Sequence, residues 1–347
     1  MSYFIDRYKQ LIGKFRNQKL NLSTAEYKQR LEKEKAVYKD CENVSDLPAI
    51  FRYWADTHLI PVFREFGFAT PEHFFFKEIV RYANISGTKT IRMISIGAGN
   101  CDVETYIAQH LIHEGIHNFT IECLDINENM LTRGKAYSKE NNVDKYITQV
   151  IGDFNNWIPD GKYDIVIANQ SLHHVVNLEG LFAAIASSLV PNGRFMVSDM
   201  IGRNGHQRWP EAMAELIPFW DEMPESYKYN QILKRYEAHF LDHDCSTEGF
   251  EGIRSQDILP LLIKRFNFDL FLPFANIIMV FIDRAFGHNF NSDADWDRDF
   301  IDRIHKTDVE LISAGIITPT QMVASLCVEE VVTRKPGHLT PQFCVRQ

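Results

Sequence analysis

His173 and His174 stand side by side just past an apolar run at 163–168, and Asp199 follows a second run at 194–198. Histidine suits proton transfer because its unperturbed pKa, about 6.5, lies near working pH. A carboxylate at a neighbouring strand end can orient an imidazole and stabilise its cation, as in acid–base triads. His206, in GRNGHQRWPEA directly beyond Asp199, is the rival base. Its neighbours Arg203, Arg208 and Trp209 form a polar–aromatic group, and either arginine could pair with a carboxylate or phosphate on a bound molecule. His239 and His243 lie four apart beside Asp242, Asp244 and Cys245, a spacing at which a helix could hold a metal. HExxH is absent, a solvated helix end is the simpler reading, and no metal site is assigned.

A second group surrounds Gly97-Ala98-Gly99-Asn100-Cys101-Asp102, which follows the run at 91–96. Glycines there allow a tight turn and close approach of backbone to a ligand. A dinucleotide fingerprint would want a third glycine at position 102; Asp102 puts a negative charge there and disfavours a diphosphate. No Gly-Lys-Ser/Thr follows, so a Walker loop is excluded as well. Asp125 ends the next strand, where a carboxylate can accept both hydrogen bonds of a ribose diol. Asp153 with Phe154 ends another, a pair suited to an exocyclic amine and an aromatic face. Asn169-Gln170 ends a fourth. Ligands of open α/β sheets bind at the carboxyl ends of strands, so four such positions in series mark one crevice.

The elements that position these residues alternate. Strands are expected at 91–96, 119–124, 146–151, 163–168 and 194–198, with helices at 103–113, 127–141 and 178–189 between them and a turn at 191–193. That order implies a doubly wound parallel sheet. Later, 256–266 and 295–314 read as helices, 268–282 as a buried strand region and 322–328 as a final strand. Upstream, 24–39 is half charged and reads as a solvated helix. The aromatic stretch 50–80, broken into short helices by Pro61 and Pro71, reads as a helical cap; its 63–76 block reads first as core, with a lid over cofactor and acceptor as the alternative, since Phe74, Phe75 and Phe76 cannot all point inward.

The 347 residues are too many for one minimal domain, and 45% are hydrophobic. A net charge of −9 without a basic run makes nucleic acid an improbable partner. No apolar stretch is long enough to span a bilayer, the first ten residues lack a secretory h-region, and none of the six cysteines forms a CxxC pair. A cytoplasmic protein without a membrane partner is expected; a homo-oligomer is compatible with the sequence.

ISIGAGN, ECLDIN, IGDF and YDIVIANQSLHHV resemble the successive motifs of class I S-adenosylmethionine-dependent methyltransferases, over about residues 91–202. The resemblance implies an α/β fold with a mostly parallel seven-stranded sheet whose last strand is antiparallel, completed by 255–335. An N-terminal cap (1–90), an acceptor-binding insertion after the fifth strand (203–254) and a peripheral tail (336–347) complete the expected organisation. It also implies S-adenosylmethionine as cofactor. Gly97, Ala98 and Gly99 would hold its amino-acid part, Asp125 with Ile126 its ribose, and Asp153 with Phe154 its adenine. Asn169 and Gln170 would border it. Two departures stand out: Ser95 replaces the usual acidic residue two before the first glycine, and Cys101 a frequent third glycine. Asp102 is the expected replacement contact for the cofactor's amino group. SLHH with a strand-end Asp is similar to small-molecule O-methyltransferases acting on sugars, so the expected reaction methylates a hydroxyl of a sugar or specialised metabolite. Methylation of nitrogen or carbon, a nicotinamide-dependent oxidoreductase and a non-catalytic binding protein are the alternatives.

Overall fold

The computed structural model describes residues 22–38, 46–87, 90–247 and 249–346; the first ten residues and Cys41 lie outside them. The strands are β1 (Ile91–Ile96), β2 (Phe119–Asp125), β3 (Ile147–Ile151), β4 (Tyr163–Asn169), β5 (Leu189–Met200), a short hairpin of β6 (Tyr229–Asn230) and β7 (Arg235–Tyr236), then β8 (Asn267–Phe274) and β9 (Gln321–Cys327). All but the hairpin form one sheet in the order β3-β2-β1-β4-β5-β9-β8. Its strands run parallel except β9, which is antiparallel to both β5 and β8. This is the expected doubly wound α/β sheet of seven strands. The order reverses between β1 and β4, the switch point at which such sheets open a crevice. The turn at 191–193 lies inside β5, where the register with β4 shifts.

The helices are α1 (Thr24–Tyr38), α2 (Ala49–Trp54), α3 (Ile60–Glu65), α4 (Pro71–Ser86), α5 (Asp102–His113), α6 (Glu128–Glu140), α7 (Leu178–Ser188), α8 (Pro210–Glu222), α9 (Ser255–Arg265), α10 (Ile278–Ile282) and α11 (Asp295–Ser313). Pro61 does not break the chain: Ala55–Leu59 forms a π-helical turn, and Pro61 sits in the first turn of α3, where its missing N–H costs nothing. The region expected as strand over 268–282 is strand only to Phe274, and α10 follows.

Three apolar cores result. Two lie on the faces of the sheet, and the third joins Trp54 of α2 to Leu216 and Trp220 of α8, Phe281 of α10 and Phe300 of α11. The first 90 residues therefore do not act as one cap. α4 belongs to the sheet, with Thr70 Oγ1 accepting from His73 N and Gly87 closing it at φ 59°. Phe74, Phe75 and Phe76 are all buried, so the block is core and not the alternative lid, and the expectation that the three cannot all point inward fails. Three successive helical residues span about 200°, so burying all three needs partners on several sides of α4. Phe68, which also packs on Phe63, takes Phe74, while His110 of α5 takes Phe76. Among the described residues, no helix is long and apolar enough to cross a membrane.

Candidate active site

Backbone geometry builds the crevice floor. Gly97 sits at φ 72°, and a Cβ there would come within 2.6 Å of Ser171 Cβ; only glycine fits. Ser171 Oγ in turn donates to Ile96 O at 2.7 Å, tying the loop after β4 to the end of β1. Gly97 N and Ala98 N donate to Leu124 O. Asp125, buried, accepts from Gly99 N (2.9 Å) on one oxygen and from Asn127 N (2.8 Å) on the other. Each oxygen keeps a lone pair, enough for a diol. Burial raises its pKa, and these backbone bonds oppose the rise. Ile126 is half-buried beside it.

Asp153 stands at the end of β3 with its carboxylate already engaged by Asn155 N, Asn156 Nδ2 and, at 2.8 Å, the Tyr27 hydroxyl of α1. Phe154 is buried in the core with Ile96, Leu124 and Leu172, its edge toward Gly97. It supports the floor, where an exposed aromatic face was expected. Asn169 is half-buried at the end of β4; Gln170 is exposed, at φ 50°, with its N–H donating to Ser198 O at 2.8 Å.

Asp102 is exposed at the start of α5, so it is a poor replacement for the missing acid at position 95. Glu104, one residue pair further along α5, takes that place. Its Oε1 accepts from Ser95 Oγ at 2.5 Å, and its buried Oε2 has no partner among the described residues. Burial pushes its carboxyl up to about 7. An unpaired buried carboxylate oxygen costs free energy until a cation or donor meets it, so the pocket suits a ligand carrying an ammonium.

The proton-handling side chains converge at the ends of β4 and β5. His173 Nδ1 lies 2.7 Å from Asp199 Oδ1, while Asp199 Oδ2 accepts from Ser171 N and Leu172 N, fixing the whole turn. Burial lowers the His173 pKa, but the Asp199 and Glu251 carboxylates outweigh it and raise the pKa to about 10. His174 Nδ1 lies 2.7 Å from Glu34 Oε1 of α1, and its Nε2 faces Glu251 Oε2 at 3.6 Å. His206 Nε2 meets Glu251 Oε1 at 2.5 Å. All three candidate bases thus approach one carboxylate, Glu251, which the sequence reading missed together with Glu34 and Glu104. Glu34 had a signal: Tyr27, Arg30, Leu31 and Glu34 fall at i, i+3, i+4 and i+7, one face of α1 that is turned inward. α1 is therefore no solvated helix. Arg30 donates to Ser246 O and Gly249 O, and Glu34 accepts from Phe250 N.

The proposed acceptor contacts mostly brace the insertion. Arg203 donates to Arg208 O and lies over Trp209, which also carries Arg346. Arg208 is buried, donates to His206 O and lies near Asp242, and burial lowers its pKa. His239 and His243 are exposed in irregular chain, so the helical spacing expected of them does not exist.

Residues 88–264, just over half of the chain, match the model of a family described as "Methyltransferase domain". Malonyl-[acyl-carrier protein] O-methyltransferase 2 of Ilyobacter polytropus is 26% identical over 132 residues, covering 38% of this chain and 47% of that one. Sterol 24-C-methyltransferase of Eremothecium gossypii is 31% identical over 108 residues, 30% of this chain and 29% of its own. The O-methyltransferase of a trans-AT PKS multienzyme of Brevibacillus brevis, solved with S-adenosyl-L-homocysteine, aligns at a TM-score of 0.45 with 14% identity, over 87% of this chain and 88% of that one. The chain spans about half the length of the first of these curated relatives. With the glycine loop, the strand-end carboxylates and the β9 reversal in place, the chain belongs to the class I S-adenosylmethionine-dependent methyltransferase family.

Proposed function

We propose that this chain methylates a hydroxyl of a small-molecule acceptor, a sugar or specialised metabolite, with His174 as the base and Glu34 as the carboxylate that orients it. The observation that carries the reading is the 2.7 Å contact between His174 Nδ1 and Glu34 Oε1, at the mouth of the crevice where Gly97, Gly99 and Asp125 converge. S-adenosylmethionine suits those residues: Glu104 would hold its ammonium, Asp125 its ribose diol, and the Gly97 turn would leave room for its chain. Bound there, it supplies an electrophilic methyl on a positively charged sulfur.

The remaining chemistry belongs to the protein. Methyl transfer to oxygen needs an aligned acceptor and a place for the hydroxyl proton. His174, whose Nδ1 lies 2.7 Å from Glu34 Oε1, would take that proton on Nε2. The acceptor oxygen gives its electron pair to the methyl carbon while the carbon–sulfur pair stays on sulfur, leaving a neutral thioether. α1 shields the crevice by bridging Asp153 to the 246–251 segment, which limits water as a competing acceptor. The carboxylates of Asp102 and Glu104 oppose a pyrophosphate, which weighs against the nicotinamide alternative.

The test is an acceptor screen with methyl-labelled S-adenosylmethionine, comparing the natural chain with His174→Ala. Transfer to a hydroxyl compound that falls roughly 10²–10⁴-fold in the variant supports the reading. Undiminished transfer removes His174 from the base role, and label only on nitrogen or carbon replaces the hydroxyl acceptor.

A further inference from the structure

His173, His206 and Glu251 come from three separate parts of the chain, yet each offers a ligand atom, and these atoms all lie within 4.8 Å of one another. Glu251 Oε1 is 3.5 Å from His173 Nε2 and 2.5 Å from His206 Nε2. Two imidazole nitrogens and one carboxylate form a donor set for a divalent transition ion. Nitrogen donors disfavour magnesium and calcium, which take oxygen.

Two further features fit an ion better than a plain hydrogen-bonded trio. Asp199 lies behind His173 and engages Nδ1, which holds the ring so that Nε2 is turned toward Glu251, as carboxylates behind metal-binding histidines do. The backbone is also forced into position. His206 sits at φ 56° and Gly205 at φ 64°. Gly252, at φ 63°, brings the Glu251 segment so close that a Cβ there would stand 3.1 Å from His206 Cε1. Gly205 N donates to Gly252 O and Ile253 N to His173 O, clamping the three donors together. A left-handed histidine is costly backbone that persists where surrounding structure imposes it, and functional sites concentrate such strain.

We infer that His173 Nε2, His206 Nε2 and the Glu251 carboxylate bind one divalent transition-metal ion, with positions left open toward the crevice for the acceptor's oxygen. That last role rests on the hydroxyl-acceptor reading above: a divalent ion acidifies a hydroxyl that it contacts, and His174 then takes the proton. Ion binding itself does not depend on that reading. Filling the site displaces a proton from the His173–His206–Glu251 group and opens the 2.5 Å contact.

The experiment uses the untagged full chain, stripped with chelator and titrated with Zn²⁺ for stoichiometry and with Co²⁺ for its spectrum. One ion per chain is expected, with cobalt ligand-field bands and no thiolate charge-transfer band. Glu251→Gln and His206→Ala should each weaken binding by roughly 100-fold or more, and Asp199→Asn by roughly 10–100-fold. No retained ion, or equal binding by Glu251→Gln, overturns the inference. So does a thiolate band that vanishes in Cys123→Ser, because Cys101, Glu104 and Cys123 form the other group able to hold an ion among the described residues. The unaltered chain's cobalt spectrum decides the matter should a variant fail to fold. Donor binding and methyl transfer by the stripped chain, with no ion retained, would sink the metal and leave the proposed function standing. An ion bound without methyl transfer to any hydroxyl would do the reverse.

Discussion

The aromatic block at 63–76 and helix α1 exchange the roles that their compositions suggest. The block, with six phenylalanines, could close over a ligand; instead Phe63, Phe68, Phe74, Phe75 and Phe76 are buried, Phe66 packs half-buried against them, and together they cover one face of the sheet. α1, half charged, looks like a solvated surface helix; instead it presents Tyr27, Arg30 and Glu34 to the crevice. Burial of apolar surface stabilises wherever partners exist, so an aromatic stretch next to a sheet becomes core. A helix that crosses a wet crevice has polar groups to satisfy, so its inward stripe is polar too. Composition alone therefore ranks the two regions in the wrong order for function.

Phe75→Ala should cause the largest effect, a loss of about 3–5 kcal/mol of stability in denaturant titration, because the site is sealed between helix and sheet. A loss under about 1 kcal/mol with collapsed turnover would restore the block as a lid.

Glu104 combines the burial of the block with the polarity of α1. Its carboxyl ionises near 7 in the folded chain against an ordinary value of 4.5, so the folded chain holds a proton that the unfolded chain has released between those values. Stability should fall as pH rises through that window, and Glu104→Gln should flatten the slope, read from denaturation midpoints across it. Donor affinity should move the opposite way, rising with pH through about 7, since the ionised form meets the ammonium.

On α1, Glu34→Gln should lower kcat by about 10–100-fold, as expected for a residue that orients the base, with little change in the KM for the methyl donor. A change confined to KM would mean that Glu34 only fastens the helix. Tyr27→Phe is the mildest test: removing one hydrogen bond worth about 0.5–1.5 kcal/mol should raise the donor's Kd roughly 2–10-fold, measured by calorimetry. An unchanged Kd would detach α1 from the cofactor side of the crevice.

The sheet was legible because buried parallel strands read as short apolar runs, and the crevice because strand ends carry its ligands. Gly97, Asp125 and the His173–Asp199 pair follow from that regularity alone. Glu34, Glu104 and Glu251 do not. Glu104 becomes relevant only through Ser95, which approaches it across the glycine turn. Glu251 reaches the histidines through the Gly205–Gly252 backbone contact, a meeting of segments 47 residues apart that no local pattern announces. The arginines show the converse. A polar–aromatic cluster looks ligand-directed until Arg208 is seen buried against His206 O, and the Arg203 side chain is found bonded to Arg208 O.

Thermal denaturation of the full chain with S-adenosylmethionine or NAD tests the central claim most directly. At about 100 times Kd, a ligand of the folded state adds roughly 2.7 kcal/mol of stability. The account predicts a higher Tm with S-adenosylmethionine, none with NAD, and loss of the shift in Asp125→Asn. A shift with NAD alone, or a full S-adenosylmethionine shift retained by Asp125→Asn, would contradict it.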